Sequence, residues 1–312
     1  MNVVEGVELY GALALGQVPR ILGLQDRDAR SRTFGCFDRY YWHYRFVDFP
    51  NARFQEAVAL LAMLVRFPFH GNRYFDRPVV RRWVEGGIRF WATARNRDGS
   101  ANEGYPFERG FCPTAMSFWA VTEALRLLGD SPAPGLRTTA SWLIRHDNPE
   151  VSNQMAAAGA ALYNYYLLSG DERSQAAARV KFARLLVTQD PSGFFPEYGG
   201  RDLGYHSLTL SLLARYYKNS KDPAVLVALQ RGIAAAEAHV RGNGSFEYDV
   251  STRQAQFLYP YAFALMGSDV VRRHLSGLGR DEVLQPGWLD DRYVSPLATD
   301  YLMAYLELAG CS

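Results

Sequence analysis

Cysteine is scarce in this sequence: the 312-residue chain has three, Cys36, Cys112 and Cys311, and they lie far apart. Their odd number and the lack of any CxxC pair argue against a disulfide framework and against a zinc knuckle. Charge of one sign is not in excess either, because 34 Lys and Arg accompany 32 Asp and Glu. Nucleic-acid binding usually requires a basic excess on one face, so we expect no nucleic-acid partner.

Long apolar runs and targeting signals are missing too. No stretch approaches the roughly 18 consecutive apolar residues that a membrane span needs, so we expect no membrane span. The first residues carry Glu5 and Glu8 and lack the basic segment of a signal peptide. Together with the few cysteines, these features predict a cytoplasmic protein.

Cofactor and metal motifs are also lacking. The sequence contains no Gly-rich phosphate loop, HExxH, GxSxG or zinc pattern. Asp290 and Asp291 form an acidic pair, but a pair without further ligands at a suitable spacing is a weak metal signal. We interpret the pair as acidic residues at a helix N-terminus, and we expect neither a metal nor a cofactor.

Aromatic residues, in contrast, are abundant, with 19 Tyr, 18 Phe and 6 Trp. Tyr and Trp combine a flat apolar ring with a polar group, which is why they line many sugar-binding sites. They also fill helical cores, so their number alone does not identify a site.

Helical periodicity occurs in two alternating sets of segments, which predicts pairs of one inner and one outer helix. The first set consists of Phe54–Phe67, Thr114–Leu128, Gln154–Leu168, Ser207–Lys218, Gln254–Met266 and Pro296–Leu308. The second set lies in the gaps and consists of Val79–Arg95, Leu136–Ile144, Glu172–Val187, Pro223–Val240 and Val270–Leu278.

Glycine turns recur between these segments, at Gly99, Gly193 and Gly244, where tight turns with positive φ are expected. A helical hairpin buries only one face, so hairpins must stack, and a closed ring leaves no exposed end. We therefore predict one all-α domain over residues 1–312, an (α/α)6-type toroid without a separate β domain. Short strands are possible only near 194–198 and 245–248.

Polar and aromatic residues cluster where the chain enters the first set of helices, and these loops share one rim of a toroid. One cluster contains Asp38, Tyr41, Trp42 and His43, which we predict to bind substrate. The alternative is a buried aromatic stripe with a hydrogen-bonded histidine.

A second cluster contains Glu103, a candidate acid or base, and Tyr105, a candidate substrate-binding residue. The alternative is a solvated loop with a surface Glu–Arg pair. A third site is Asn153 at the start of an Ala-rich helix, where Asn is also a favoured N-cap and Ser152 competes for that role.

The richest cluster surrounds Gly199, Gly200 and Gly204, which let the backbone approach closely. The alternative is a turn with a capping Asp and a packed Tyr. Glu247 and Arg253 add charge to the same rim. The candidates in the cluster itself are Glu197, Tyr198, Arg201, Asp202, Tyr205 and His206.

Three stretches resemble the toroid domain of heparinase II/III-like and alginate-lyase-like polysaccharide lyases, and the resemblance covers most of the chain in layout. They are Asn153-Gln154, the segment 192–205 (SGFFPEYGGRDLGY), and Gly244-Ser-Phe-Glu-Tyr leading to Tyr259-Pro260. Members of this group usually carry a C-terminal β-sandwich, often with a catalytic or metal-binding His, which we do not expect here.

The resemblance implies β-elimination on a glycan that contains uronic acid or another acidic sugar. Tyr205 would act as base and acid, and the Asn153 amide would neutralise the substrate carboxylate and lower the cost of the enolate. A phenol has a pKa near 10, so a cation must help to ionise it. Arg201, Arg253 or His206 is the candidate cation.

Two other functions stay open at this point. A glycoside hydrolase needs two carboxylates that flank the bond, and Glu103, Glu197 and Asp202 are the candidates. A toroid that binds glycan without catalysis, within polysaccharide biosynthesis, is the other. In every case the expected partner is an oligosaccharide or polysaccharide.

Overall fold

The computed structural model describes residues 3–133 and 135–311. These residues form α-helices joined by loops and two short 3₁₀ helices, Ala52–Glu56 and Pro286–Trp288, and they contain no β-strand. The prediction of an all-α chain is therefore confirmed. The α-helices are α1 (Val3–Leu24), α2 (Arg39–Trp42), α3 (Ala57–Arg66), α4 (Pro78–Ala94), α5 (Phe111–Leu128), α6 (Leu136–Arg145), α7 (Ser152–Ser169), α8 (Glu172–Leu186), α9 (Leu203–Ser220), α10 (Pro223–His239), α11 (Tyr261–Leu265), α12 (Val270–Leu278) and α13 (Val294–Leu308).

One helix prediction from the periodicity is wrong, and one helix was missed. The segment Gln254–Met266 is helical only over α11, because the backbone before Pro260 is irregular and bonds to side chains of α9 and its N-cap. Helix α1 was not predicted, since Gly6, Gly11, Gly16 and Pro19 interrupt its sequence. None of the helices in the described ranges is long and apolar enough to cross a membrane.

The helices fall into two groups by burial. Helix α7 is buried continuously from Ser152 to Tyr165, so it has neighbours on every side. Helix α8 buries a single stripe, Ser174, Ala178, Lys181, Phe182 and Leu185, which is the pattern of a helix with one solvent face.

The contacts between helices follow the same division. Helices α3, α5, α7, α9, α11 and α13 contact one another in that order, and α13 also contacts α3. We call these six the inner helices. Helices α4, α6, α8, α10 and α12, which we call the outer helices, each pack against at least one of them, and α1 packs against α12 and α13. The Ala-rich sequence of α7 permits close packing, since a Cβ at Gly159 would lie 2.7 Å from the Phe182 ring of α8.

The predicted glycine turns are confirmed, and they share one geometry. Gly99, Gly193 and Gly244 have φ values of +94°, +98° and +80°. A Cβ at each would lie 2.6, 2.5 and 2.8 Å, respectively, from backbone atoms of the next outer helix, α6, α10 or α12. Each turn therefore locks a rim loop against an outer helix, and this fixes where the polar residues after the glycine lie.

Candidate functional site

A cleft of about 350 Å³ lies where inner helices α5, α7, α9 and α13 begin. Its volume is near the lower end of the range of small-molecule sites. Five residues predicted from the sequence line it, namely Glu103, Asn153, Tyr198, Tyr205 and Arg253. Twelve further lining residues were not predicted as site residues, among them Arg53, Cys112, Gln154, Arg292 and Tyr293.

One wall of the cleft is aromatic. The Tyr198 and Tyr205 rings meet edge to face at 5.1 Å, and Tyr205 meets Phe257 in the same way at 5.3 Å. Phe257 in turn stacks on Tyr293 at 6.3 Å. The wall thus offers flat apolar surface together with phenol hydroxyls, which suits the C–H faces and hydroxyls of a sugar.

The other walls carry cations. The guanidinium of Arg253 lies 4.8 Å from the centre of the Tyr198 ring. Arg292 pairs with Glu103 across the cleft, so the loop before α5 is tied to the start of α13. Arg53 is buried, pairs with Glu56, and donates from Nη1 to Cys112 Sγ over 3.2 Å.

The Asn153 side chain donates to the buried Glu197 carboxylate, and Asn153 is not the N-cap of its helix. Glu197 has no exposed surface; it accepts from the Asn153 backbone N at 3.0 Å, from Asn153 Nδ2 at 2.7 Å, and from Thr209 Oγ1. The N-cap of α7 is Val151, and the Ser152 hydroxyl donates to the Pro196 carbonyl, so neither proposed capping residue is a cap. Burial raises the pKa of Glu197 to about 8, although the hydrogen bonds that it accepts from Thr209 and Asn153 act to lower it.

Tyr198 is the most constrained of the cleft tyrosines. Its backbone is left-handed, with φ +54°, which is uncommon for a bulky residue and concentrates at functional sites. The nearby Asn153 and Gln154 side chains favour the ionised form of its hydroxyl. Burial raises the pKa of this phenol.

Tyr205 has a different environment. It lies in the first turn of α9, and its ring packs between those of Tyr198 and Phe257. Burial, reinforced by the neighbouring phenols, raises its pKa far above the ordinary value. Of the three candidate cations, Arg201, Arg253 and His206, it is Arg253 that lines the cleft, and its guanidinium lies over the Tyr198 ring.

Four members of the richest cluster, Glu197, Arg201, Asp202 and His206, do not line the cleft. His206 is fully buried, accepts from the Phe195 N–H at Nδ1 over 3.2 Å, and makes its other ring contact with the Gly232 carbonyl. Burial lowers its pKa to about 4, so it is neutral and not a cation at neutral pH. Arg201 pairs with Asp190 over 2.6 Å on the exterior.

Asp202 and Glu247 have structural partners. Asp202 is the N-cap of α9, accepts from the Tyr205 N–H at 3.0 Å, and also holds Ser251. The alternative interpretation of a capping Asp is therefore correct. Glu247 is exposed and pairs with Arg241 over 2.8 Å, away from the residues that line the cleft.

The cluster around α2 is partly structural as well. Asp38 is buried and accepts from the N–H groups of Tyr40 and Tyr41 as the N-cap of α2. Trp42 Nε1 donates to the Leu24 carbonyl at 2.8 Å, while His43 is exposed. In the loop before α5, Tyr105 is 73% exposed and does not line the cleft.

The unpredicted cleft residues share a position in the fold that the sequence could have indicated. They lie at the starts of inner helices: Arg53 before α3, Gln154 in α7, and Arg292 with Tyr293 before α13. Applying the shared-rim argument to the first and last inner helices would have found them. Asp290 and Asp291 have structural roles there, since Asp290 accepts from the Arg292 N–H and Asp291 pairs with Arg20.

A second cavity of about 150 Å³ lies at the opposite ends of the inner helices. Its arginines have partners: Arg215 pairs with Asp300, and Arg126 with Glu123 and Asn164. No group of three His, Cys, Asp or Glu residues suited to a metal ion occurs in the described part of the chain.

Comparisons with known proteins do not assign this chain to a family. A scan against protein families finds no match, and a search of the curated proteins finds no similar sequence.

Proposed function

We propose that the helices form a closed α/α toroid with the cleft at one end. The cyclic order of contacts among the inner helices, with α13 returning to α3, supports this arrangement. The alternation of fully buried and one-faced helices supports it as well.

Within this ring we propose a carbohydrate-active enzyme, a lyase that cleaves an acidic glycan by β-elimination. The observation that carries the proposal is the convergence of the Asn153 amide, the Tyr198 and Tyr205 phenols and the cation Arg253 on one cleft. These are the groups that neutralise a carboxylate and transfer a proton next to it.

In the proposed reaction, the Asn153 amide and Arg253 hold the uronate carboxylate, and Glu197 fixes the orientation of Asn153. A tyrosinate takes the proton from C5, the C4–C5 double bond forms, and the C4–O bond breaks. The tyrosine then gives its proton to the leaving oxygen. Tyr198 is favoured for this role over Tyr205, because the Arg253 guanidinium lies over its ring and the Asn153 and Gln154 side chains favour its ionised form.

Hydrolysis has less support from the same geometry. Glu197 and Asp202, two of the three candidate carboxylates, have no exposed surface, and Glu103 is paired with Arg292. Glu108 also borders the cleft, but it accepts from the backbone N–H groups of Glu103 and Gly104 and belongs to the same loop. Two carboxylates on opposite sides of a glycosidic bond are therefore not supplied.

The test is incubation with alginate, polygalacturonate and heparosan, followed by the ultraviolet absorbance of the unsaturated product. We expect Tyr198→Phe to lower kcat at least about 10³-fold, since the proton-transfer group is lost, with KM little changed. Tyr205→Phe should lower it less. Because the pKa of Tyr198 is raised, the rate should increase towards alkaline pH.

Three outcomes contradict parts of this proposal. A larger loss in Tyr205→Phe than in Tyr198→Phe assigns the proton transfer to Tyr205. Reducing ends without unsaturated product indicate hydrolysis. Tight glycan binding without turnover, unchanged in both variants, indicates a binding protein of the kind that polysaccharide biosynthesis uses.

A further inference from the structure

A group of exposed aromatic rings lies on the rim outside the cleft. Tyr40, Tyr44 and Phe46 are 46%, 48% and 74% exposed. Phe46 stacks on Tyr44 with ring centres 5.5 Å apart and an interplanar angle of 18°, and Tyr40 lies within 6.5 Å of both rings. We call these three residues the aromatic platform. Neighbouring large aromatic rings that all face solvent mark an interaction surface more often than isolated exposed rings do.

The backbone under the platform is fixed. The Tyr44 N–H donates to the Arg39 carbonyl at 3.0 Å, and the Phe46 N–H donates to the Tyr40 carbonyl at 2.9 Å. Arg39 Nη1 donates at 2.9 Å to the Gly23 carbonyl, near the end of α1. The platform is therefore held in place before any ligand binds, which lowers the entropic cost of binding.

The platform and the cleft share one hydrogen-bonded framework. The Asp38 carboxylate accepts from the Tyr40 N–H at 3.0 Å and from the Asn51 N–H at 2.9 Å. Asn51 caps the 3₁₀ helix that carries Arg53, a cleft residue. The Ala52 N–H then donates to the Asn102 carbonyl, directly before Glu103 of the cleft. The segment that carries the platform is thus bonded to the segments that carry Arg53 and Glu103 of the cleft.

Cations border the platform. The Arg39 guanidinium lies 5.4 Å from the Tyr44 ring, and Arg45 is exposed between Tyr44 and Phe46 in the chain. Among residues 39–48, Asp48 is the one acidic residue. Flat apolar faces bordered by guanidinium groups match a chain of pyranose rings that carry carboxylates.

We propose that the platform is a distal binding surface for an acidic polysaccharide, which extends the cleft by stacking further sugar rings. The inference rests on the proposed function for the class of ligand, but not for the chemistry of cleavage. Polymers contact cleft and platform together, whereas short oligosaccharides occupy only the cleft.

The experiment measures the affinity of the whole chain for alginate and polygalacturonate, each as polymer and as trisaccharide, by calorimetry. The variant is Tyr44→Ala with Phe46→Ala, and the matched control is Phe75→Ala. Phe75 is 42% exposed and lies in the loop from α3 to α4, at the other end of the inner helices. Because all three rings are exposed, the variants should keep the wild-type melting temperature within a few degrees.

We expect the double variant to bind the polymer about tenfold more weakly and the trisaccharide as the wild type does. The control should leave both affinities unchanged. An equal loss for polymer and trisaccharide, or no loss for either, overturns the proposal, as does a wild-type protein that binds neither polymer. If the double variant loses binding to phosphatidylglycerol vesicles or single-stranded DNA while polymer affinity is unchanged, the surface serves that ligand instead.

Failure of this inference is separable from failure of the lyase proposal. Platform-dependent polymer affinity without any unsaturated product refutes the lyase chemistry and leaves the platform standing. Unsaturated product with polymer affinity unchanged in the double variant refutes the platform and leaves the chemistry standing.

Discussion

At the scale of single residues, Glu197 determines the position of the amide that the proposed chemistry needs. Its carboxylate satisfies the backbone N–H and the side chain of Asn153 and the hydroxyl of Thr209, all of them buried. Removing it would leave three buried donors without an acceptor, which costs more than the net gain of one hydrogen bond. A buried group outside the cleft thus controls a group inside it.

We therefore predict that Glu197→Ala lowers the free energy of unfolding by about 3–5 kcal/mol. The control is Glu247→Ala, which removes an exposed carboxylate paired with Arg241 and should cost less than about 1 kcal/mol. Urea denaturation at neutral pH measures both. Similar losses in the two variants would show that Glu197 does not hold this network.

The buried histidines make stability depend on acid. Burial lowers the pKa of His206 to about 4 and that of His274 to about 3, while an unfolded histidine titrates near 6.5. Between those values the unfolded chain binds more protons than the folded one. The stability that the neutral histidines contribute is therefore complete above pH 6.5 and is lost as pH falls towards 4 and 3.

For His206→Gln we predict that the fall in unfolding free energy between pH 6.5 and 4 becomes shallower by up to about 1.4 kcal/mol per pH unit. The slope is the measured quantity, so an overall loss of stability does not obscure the result. His70→Gln, at an exposed position, should keep the wild-type slope. An unchanged slope in His206→Gln would contradict the assignment.

At the scale of secondary structure, the same type of glycine turn recurs along the chain and contacts an outer helix each time. Gly193 has φ +98°, and a Cβ there would lie 2.5 Å from the Arg231 carbonyl oxygen of α10. Gly170 at the end of α7 also has a positive φ, +74°, but nothing lies within 4 Å of a Cβ there. The two positions separate the cost of the backbone conformation from the cost of contact.

Gly170→Ala should lower the free energy of unfolding by about 1 kcal/mol, the cost of a left-handed alanine. Gly193→Ala should lower it by about 1–3 kcal/mol more, because the turn must also move away from α10. Thermal or urea unfolding gives both values. Equal losses would mean that the turn does not press on the outer helix.

How much of the fold could be predicted from the sequence differs from segment to segment. Helices with regular apolar spacing, such as α12, were predicted to the residue, because the period reports a buried face directly. The irregular segment before α11 was taken for helix, since its N–H groups bond to Asp202 and Ser207, which are distant in sequence.

The candidate site, like the fold, was predicted only in part. Tyr205 and Glu103 were predicted because aromatic and polar residues cluster next to glycines, and Asn153 because it opens an Ala-rich helix. His206 and Arg201 sit beside Tyr205 in the sequence, but their side chains lead away from the cleft, into the core and onto Asp190. Sequence proximity does not distinguish the two faces of a helix start until the packing is known.

At the scale of the whole molecule, the contact between α1 and the last two long helices joins residues far apart in the chain. Tyr10 Oη lies 3.0 Å from Nδ1 of His274, and the Tyr10 ring meets Tyr301 edge to face at 5.2 Å. Tyr10, His274 and Tyr301 are all buried. Helix α1 therefore has one of its main packing partners at the opposite end of the sequence.

Tyr10→Ala should lower the free energy of unfolding by about 3–5 kcal/mol, because it empties a buried site between α1, α12 and α13. Tyr10→Phe keeps the ring and should cost about 1 kcal/mol, the value of the hydrogen bond to His274. Chemical denaturation measures both. A small loss in Tyr10→Ala would show that the packing of α1 contributes little.

The same contact has a consequence for the time course of protein synthesis. The buried stripe of α1 cannot find α13 until the ribosome has made nearly 300 further residues, which takes about 15 to 60 s at ordinary elongation rates. During that interval the part of the first helix that packs on α13 has no native partner. The nascent chain must be kept from aggregating for tens of seconds before its first and last helices can meet.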